Sequence, residues 1–218
     1  MGYRAIIWDL DGTLLDTLQD LTASVNAALL AHGLPVRTRD EVRCFVGNGV
    51  EQLMRRAMPE GETDVEFEAL FSDFRAHYAA HCNDATAPYP GVMEALKELK
   101  ERGVFLAVVS NKLDSAVKAL CEIHFGDLIG VAIGECRGVR RKPAPDSVQR
   151  AMELLGTTDA VYIGDSEVDI ATAKNAGLPC ICVSWGFRTE ASLREAGAKD
   201  IAPDIAALME LLDGREST

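Results

Sequence analysis

The chain contains 218 residues and has a mass of 23.6 kDa, a size that fits one large domain or a core with a smaller appendage. Because 48% of the residues are hydrophobic and 26% are charged, the composition excludes a disordered or collagen-like chain. The formal net charge of -12 argues against binding to nucleic acids or to anionic membranes.

Targeting and membrane signals are missing from the sequence. No stretch approaches the roughly 20 apolar residues that a membrane span needs, and the first residues lack the pattern of a signal peptide. The 6 cysteines are scattered along the chain, so we expect reduced thiols and not a disulfide framework. These features predict a cytoplasmic protein.

Short apolar runs alternate with amphipathic segments over much of the chain. The runs have the length of strands and lack polar alternation, which is typical of parallel strands buried on both faces; they cover residues 5–8, 104–109, 129–133, 160–163 and 180–183. The amphipathic segments predict helices over residues 92–102, 146–155, 168–176 and 202–213. This alternation predicts an α/β fold with a doubly wound, Rossmann-like parallel sheet.

One segment interrupts that alternation. Residues 15–87 show helical periodicity, with predicted helices over residues 18–31, 38–44, 50–57 and 65–81. An insertion of about 70 residues is far longer than an ordinary connection between strands. We therefore predict a core made of residues 1–14 and 88–218, with a helical cap domain over residues 15–87 inserted into it.

Polar side chains stand where the predicted strands end. The segments are Asp9-Leu10-Asp11-Gly12-Thr13, Ser110-Asn111-Lys112, Lys142-Pro143 and Gly164-Asp165-Ser166, with Asp169 shortly after the last. Each alone has an ordinary explanation, such as a turn, a helix cap or a solvated charge. Because ligands bind outside the carboxyl ends of parallel strands, their shared position predicts one site at that edge of the sheet.

Carboxylates gathered in this way suit phosphoryl transfer. A carboxylate can attack a phosphoryl group, but its repulsion of an anionic substrate must be offset, which a hard cation such as Mg²⁺ can do through oxygen ligands. On this interpretation Asp9 is the nucleophile and a metal ligand, and Asp165 supplies a second carboxylate to the metal. Asp169 lies one helical turn further on, where it can support the metal or its bound water.

The set of motifs resembles the four motifs of the haloacid dehalogenase-like hydrolase superfamily, and the position of the insertion is similar to that of its helical-cap subgroup. Within that subgroup the sequence looks most like the phosphoglycolate phosphatases. The segments that carry this closer resemblance are residues 9–17 (DLDGTLLDT), 46–49 (VGNG), 142–146 (KPAPD) and 184–188 (SWGFR).

The resemblance implies further roles for residues of the motifs. Asp11 would give its backbone carbonyl to the metal, while its side chain protonates the leaving oxygen and later activates water. Lys142 would neutralise charge on Asp9 and on the transferring oxygens. Thr13, Ser110 and Asn111 are assigned to substrate binding at the phosphoryl group. Dehalogenating relatives lack an acid at the position of Asp11, because a halide leaving group needs no proton.

The predicted cap should close over the site and choose the substrate. Gly47, Asn48 and Gly49 are a candidate substrate loop, since backbone amides there could meet an anionic group; an ordinary turn between helices is the equal alternative.

The sequence thus predicts a Mg²⁺-dependent phosphatase for a small phosphorylated metabolite, best matched by 2-phosphoglycolate, acting as a monomer or homodimer. The alternatives are a β-phosphoglucomutase-like mutase, a pyrophosphatase and, least favoured, a non-catalytic binding protein that keeps the fold.

Overall fold

The structure is a computed structural model that describes residues 2–47, 49–59, 61 and 63–214. The chain divides into two compact units. One unit combines Met1–Leu15 with Pro88–Thr218, and the other is Asp16–Ala87. Each unit has its own buried side chains and is described by itself.

The first unit is built on a parallel sheet of six strands in the order β5-β4-β1-β6-β7-β8. The strands are β1 (Ala5–Trp8), β4 (Phe105–Leu113), β5 (Val131–Glu135), β6 (Ala160–Gly164), β7 (Cys180–Val183) and β8 (Asp200–Ala202). Two further short strands, β2 (Leu15–Asp16) and β3 (Ala87–Pro88), form a separate two-stranded sheet.

Helices cover both faces of the six-stranded sheet. They are α5 (Val92–Glu101), α6 (Asp114–Phe125), α7 (Asp146–Leu155), α8 (Glu167–Ala176), α9 (Glu190–Glu195) and α10 (Ile205–Asp213), with a 3₁₀ turn, η1, at Gly126–Leu128. Ile6 and Trp8 of β1 pack in a cluster with side chains of α5, α6 and α10. Ala5 and Ile7 belong to a second cluster with side chains of α7 and α8. The predicted doubly wound, Rossmann-like α/β fold is therefore confirmed.

Several elements differ from the sequence prediction. Strand β4 extends to Leu113 and so includes the polar segment that was expected to follow it. Its pairing with β5 shifts register between Val109 and Leu113. Strand β8 occupies Asp200–Ala202, where the pattern predicted the start of the last helix, and helices α6 and α9 were not predicted.

The second unit is helical. Its helices are α1 (Leu18–Ala31), α2 (Arg39–Phe45), α3 (Val50–Ala57) and α4 (Asp64–His81). Capping boxes start two of them: Thr38 pairs with Glu41 at α2, and Thr63 pairs with Glu66 at α4. Such boxes satisfy backbone N–H groups that a helix leaves unpaired at its first turn. Buried apolar side chains from α1 and α4, such as Leu29 and Phe74, fill its interior.

Two predictions about the whole chain can be compared with the structure. All six cysteines are free thiols, as expected, although Cys44 and Cys136 are exposed. Within the residues that the structure describes, no helix is both long and apolar enough to cross a membrane.

A buried carboxylate joins the two ends of the helical unit. Asp20 near the start of α1 is only 3% exposed. Its Oδ1 accepts a hydrogen bond from the N–H of Ala85 (2.9 Å), and its Oδ2 accepts from the N–H (2.9 Å) and the hydroxyl (2.7 Å) of Thr86. Since an amide at this position would leave some of these buried donors unpaired, the carboxylate should stabilise the unit.

We expect Asp20→Asn to lower the free energy of unfolding by about 1–3 kcal/mol, because a buried donor would lose its acceptor. Urea unfolding followed by circular dichroism measures this change. The control is Asp73→Asn in the same unit, which removes an exposed ion pair with His32 (2.9 Å) and should cost less than about 1 kcal/mol. If the two variants lost the same free energy of unfolding, the buried carboxylate of Asp20 would have no special role in stabilising the unit.

Candidate active site

The predicted site residues lie at the carboxyl edge of the six-stranded sheet. Strand β1 pairs with β4 on one side and with β6 on the other. Asp9 directly follows β1, Ser110 lies near the end of β4, and Asp165 directly follows β6. Because these parallel strands are neighbours, the residues at their ends converge on one place.

A buried lysine stands at the centre of the site. The Nζ of Lys142 donates to Oδ1 of Asp9 (2.7 Å), to Oδ1 of Asp169 (2.8 Å) and to the hydroxyl of Tyr162 (3.0 Å). Burial alone would lower the pKa of Lys142, but Asp169 and Asp9 raise that pKa well above its ordinary value. The side chain is therefore a permanent cation whose three N–H groups all have acceptors.

The carboxylates around this lysine carry more negative charge than it can balance. Burial raises the pKa of Asp9 to about 7, against the lowering effect of Lys142. Burial, followed by the charges of Asp169 and Asp9, raises the pKa of Asp165 well above its ordinary value. A raised pKa means that the surroundings of a buried carboxylate stabilise its negative charge less well than water does. The site therefore favours an additional cation.

The carboxylates have the arrangement of a metal site. One oxygen from each of Asp9, Asp165 and Asp169 lies within 4.8 Å of the others. Asp165 accepts a hydrogen bond at Oδ2 from the N–H of Phe187 (2.6 Å), which leaves Oδ1 as its oxygen for a cation. Hard oxygen donors and an excess of negative charge fit Mg²⁺. Asp9 and Asp165 are the residues best placed to hold it.

Asp169 is engaged mainly by protein donors. Its Oδ1 accepts from Lys142 and from the hydroxyl of Tyr162 (2.9 Å), and its Oδ2 accepts from the N–H (3.1 Å) and the hydroxyl (2.5 Å) of Ser166. A direct bond from Asp169 to a metal would compete with these four hydrogen bonds. The geometry thus favours the supporting role for Asp169, and its direct ligation stays a prediction.

Two glycines allow other groups to approach Asp165 closely. Gly12 has φ +88, and a Cβ there would lie 2.3 Å from Oδ2 of Asp165. A Cβ on Gly186 would lie 2.2 Å from the carbonyl oxygen of Gly12 and 2.4 Å from the same Oδ2. Real side chains cannot occupy such positions, so the two loops close on Asp165 only because both residues are glycine. The indole N–H of Trp185 donates to the carbonyl of Thr13 (3.0 Å) and holds the loops together.

Asp11 lies beside a second lysine. The Nζ of Lys112 donates to its Oδ1 (3.0 Å), and the hydroxyl of Ser110 lies 3.4 Å from its Oδ2. Lys112 is 7% exposed. The predicted metal contact of Asp11 is through its main-chain carbonyl, and it stays a prediction.

The predicted phosphoryl ligands have different surroundings. Asn111 donates from Nδ2 to the carbonyl of Lys142 (3.0 Å) and accepts at Oδ1 from its N–H (2.7 Å), so it fixes the backbone of that lysine. The hydroxyl of Thr13 is buried and has no hydrogen-bond partner among the described residues. Their assignment to substrate binding, like that of Ser110, stays a prediction.

The predicted substrate loop belongs to the helical unit. Gly47 has φ 125, and Gly49, with φ 87, precedes the first residue of α3. Positive φ angles of this kind favour glycine. Asn48 lies outside the described residues. The role of the three residues in substrate binding stays a prediction.

Sequence reasoning missed one residue of the site, Tyr162, and gave no role to another, Lys112. Tyr162 lies within an apolar strand, where its hydroxyl was the only signal of a polar role. Lys112 follows Ser110 and Asn111 directly, but a lysine at a strand end is usually a solvated charge. The signal that could have found it is the alternation of a strand, which places Ser110 and Lys112 on the same side.

Comparison with known proteins agrees with this geometry. The family model described as haloacid dehalogenase-like hydrolase matches residues 6–183. A phosphoglycolate phosphatase of Rhodobacter capsulatus is 37% identical over 188 residues, which cover 84% of this chain and 85% of the relative. A phosphoglycolate phosphatase of Caulobacter vibrioides is 37% identical over 199 residues, covering 88% of this chain and 84% of the relative.

Solved structures extend the comparison. The crystal structure of a protein from Lactobacillus delbrueckii superimposes on this chain with a TM-score of 0.92. The two sequences are 37% identical, and the match covers 97% of this chain and 99% of the Lactobacillus protein. CbbY of Rhodobacter sphaeroides, solved as a mutant in complex with xylulose-(1,5)bisphosphate, has a TM-score of 0.72 and 27% identity, covering 94% of this chain and 99% of that chain. The chain belongs to the haloacid dehalogenase-like hydrolase family, so the resemblance found in the sequence is confirmed.

Removing one carboxylate should stabilise the metal-free protein. When folding raises the pKa of a carboxyl group, the folded state loses stability as the pH rises above the pKa that the group has in the unfolded chain, which is about 4. At neutral pH we therefore expect Asp165→Asn to raise the free energy of unfolding, on the order of 1 kcal/mol. Thermal unfolding without divalent cations, from about pH 5 to about pH 8, should show a smaller loss of stability in the variant than in the wild type.

The same experiment with added Mg²⁺ tests the cation site. Mg²⁺ should raise the melting temperature of the wild type, because a ligand that binds the folded state stabilises it, and should raise that of Asp165→Asn much less. Asp159→Asn, an exposed change just before β6, is the matched control and should behave as the wild type. If Mg²⁺ raised the melting temperature of Asp165→Asn as much as that of the wild type, Asp165 would not be a ligand of the cation.

Proposed function

We propose that this protein is a Mg²⁺-dependent phosphatase that hydrolyses a small phosphorylated metabolite, with 2-phosphoglycolate as the preferred substrate. The observation that carries the proposal is the buried carboxylate of Asp9, which follows the central strand and lies 2.7 Å from the ammonium of Lys142. The two relatives named phosphoglycolate phosphatase, each 37% identical, support the choice of substrate.

Asp9 is the nucleophile in this proposal. One of its carboxylate oxygens forms a bond to phosphorus while the bond from phosphorus to the ester oxygen breaks, and Asp11 gives a proton to that oxygen. A water molecule then attacks the phosphorus, Asp11 takes its proton, and the bond to Asp9 breaks. The products are the alcohol and phosphate, and both carboxyl groups return to their initial states.

Lys142 orients the nucleophile and limits its repulsion of the substrate. Its ammonium holds Oδ1 of Asp9, and Asp169 and Tyr162 fix that ammonium in turn. Asn111 fixes the main chain of Lys142 by two hydrogen bonds. A bound Mg²⁺, held by Asp9 and Asp165, would supply the positive charge that an anionic substrate requires. Preorganised charges of this kind stabilise a transition state without rearrangement.

An acid beside the nucleophile favours an oxygen leaving group. The carboxyl of Asp11 follows Asp9 by two residues and is held by Lys112 and Ser110. Alkoxide leaving groups need a proton in the transition state, whereas halides do not. This supports phosphate ester hydrolysis over dehalogenation.

The helical unit is proposed to select the substrate. Its loop at Gly47, Asn48 and Gly49 could bind the second anionic group of a phosphorylated acid through backbone N–H groups. A sugar phosphate is the second candidate class, because the CbbY structure contains a sugar bisphosphate.

A phosphate-release panel with Mg²⁺ tests the substrate. The panel compares 2-phosphoglycolate, pyrophosphate, sugar phosphates and nucleotides, and kcat/KM should be highest for 2-phosphoglycolate. Much faster release from pyrophosphate would contradict the substrate, and isomerisation of β-glucose 1-phosphate with little release would indicate a mutase. No turnover of any member would contradict enzymatic activity and favour a binding protein.

The nucleophile is tested by Asp9→Asn. We expect kcat to fall by at least about 10³-fold, because an amide cannot form the covalent intermediate. Circular dichroism should show an unchanged fold. Asp159→Asn serves as the control, since Asp159 is exposed and precedes β6 at the opposite end of the sheet, and it should keep full activity. An active Asp9→Asn enzyme would rule out Asp9 as the nucleophile.

A further inference from the structure

Lys112 is a buried cation to which the proposed mechanism gives no step of its own. It lies near the end of β4, within the stretch between Val109 and Leu113 where the pairing of that strand with β5 shifts register. Successive side chains of a strand point to opposite faces. Ser110 and Lys112 accordingly both reach Asp11, whereas Asn111 between them binds the main chain of Lys142.

The two side chains hold different oxygens of Asp11. The ammonium of Lys112 lies 3.0 Å from Oδ1, and the hydroxyl of Ser110 lies 3.4 Å from Oδ2. The N–H of Lys112 also donates to the hydroxyl of Ser110 (3.2 Å), which joins the two supports. The side chain of Lys112 is 5% exposed and that of Asp11 is 19% exposed. A charge-assisted hydrogen bond that is largely shielded from water fixes a carboxyl more strongly than a fully solvated one does.

Lys142 has no N–H group left to hold the carboxyl of Asp11. Its Nζ has three N–H groups, and these face Asp9, Asp169 and Tyr162. The site therefore has two lysines, each paired with one of the two carboxyls that the mechanism uses. Lys142 serves the nucleophile and Lys112 serves the acid.

We propose that Lys112 is the positioning residue for Asp11, holding its carboxyl where a proton can be delivered to the ester oxygen that leaves. This inference rests on the proposed function. General acid catalysis requires the acid to lie within hydrogen-bond reach of the leaving atom. A carboxyl that rotates freely would meet that condition only part of the time.

The test uses the leaving group as a readout. Three substrates are compared with Lys112→Met: 2-phosphoglycolate, ethyl phosphate and acetyl phosphate. The first two release an alkoxide that needs a proton, whereas acetate leaves without one. The value of kcat/KM is the quantity to compare, because it reports the steps up to release of the first product.

We expect Lys112→Met to lower kcat/KM for both alkyl phosphates by about 10²-fold, and for acetyl phosphate by less than about threefold. Lys112→Arg, which keeps a cation of similar reach, should recover most of the loss. In an Asp11→Asn background Lys112→Met should add little, since the group it positions is already absent. Lys118→Met, which removes an exposed lysine paired with Asp114, controls for loss of a positive charge.

Other outcomes would overturn the inference. An equal loss for all three substrates would indicate a structural or general electrostatic role. A loss confined to 2-phosphoglycolate, with ethyl phosphate unaffected, would make Lys112 a ligand for the substrate carboxylate. No loss at all would leave Lys112 without a role in the reaction. A wild-type protein inert towards all three substrates would instead contradict the proposed function on which the inference rests.

Discussion

The site depends on the ammonium of Lys142, which three buried groups share. Asp9 and Asp169 each lie within 2.8 Å of it, and Tyr162 supplies the third acceptor. Taking charges out of water costs several kcal/mol for each ion unless partners compensate. One lysine cannot compensate Asp9, Asp165 and Asp169 together, which explains the raised pKa values of Asp9 and Asp165. The same imbalance of charge that destabilises the metal-free fold favours the binding of a cation.

The fold maintains this arrangement by using rigid elements. Strands β1, β4 and β6 are neighbours in the sheet, so their ends cannot separate without breaking its ladder of hydrogen bonds. Around them, the loops at Gly12 and Gly186 close on Asp165, and Asn111 fixes the main chain of Lys142. Positioning residues of this kind reduce the reorganisation that a reaction would otherwise need.

The sequence predicted the parts of the site that follow from strand ends. Asp9 comes directly after one apolar run and Asp165 two residues after another, and parallel pairing brings such positions together. It did not predict what depends on side-chain direction within an irregular strand end, such as the pairing of Lys112 with Asp11 and of Asn111 with Lys142. Strand β8 was missed because three residues, Asp200–Ala202, are too few to show a periodicity. Asp169 was expected as a metal ligand or its support, and the donors around it became visible only in the folded chain.

The proposed reaction requires Asp9 to become covalently phosphorylated, and trapping the phosphorylated enzyme is the most direct test of it. The enzyme with Mg²⁺ is mixed with 2-phosphoglycolate carrying labelled phosphate, quenched in acid within the first turnover, digested and mapped by mass spectrometry. We expect label on the peptide that contains Asp9, and none on the same peptide from the Asp9→Asn variant. Label on any other residue, or turnover with no labelled protein at any quench time, would contradict it.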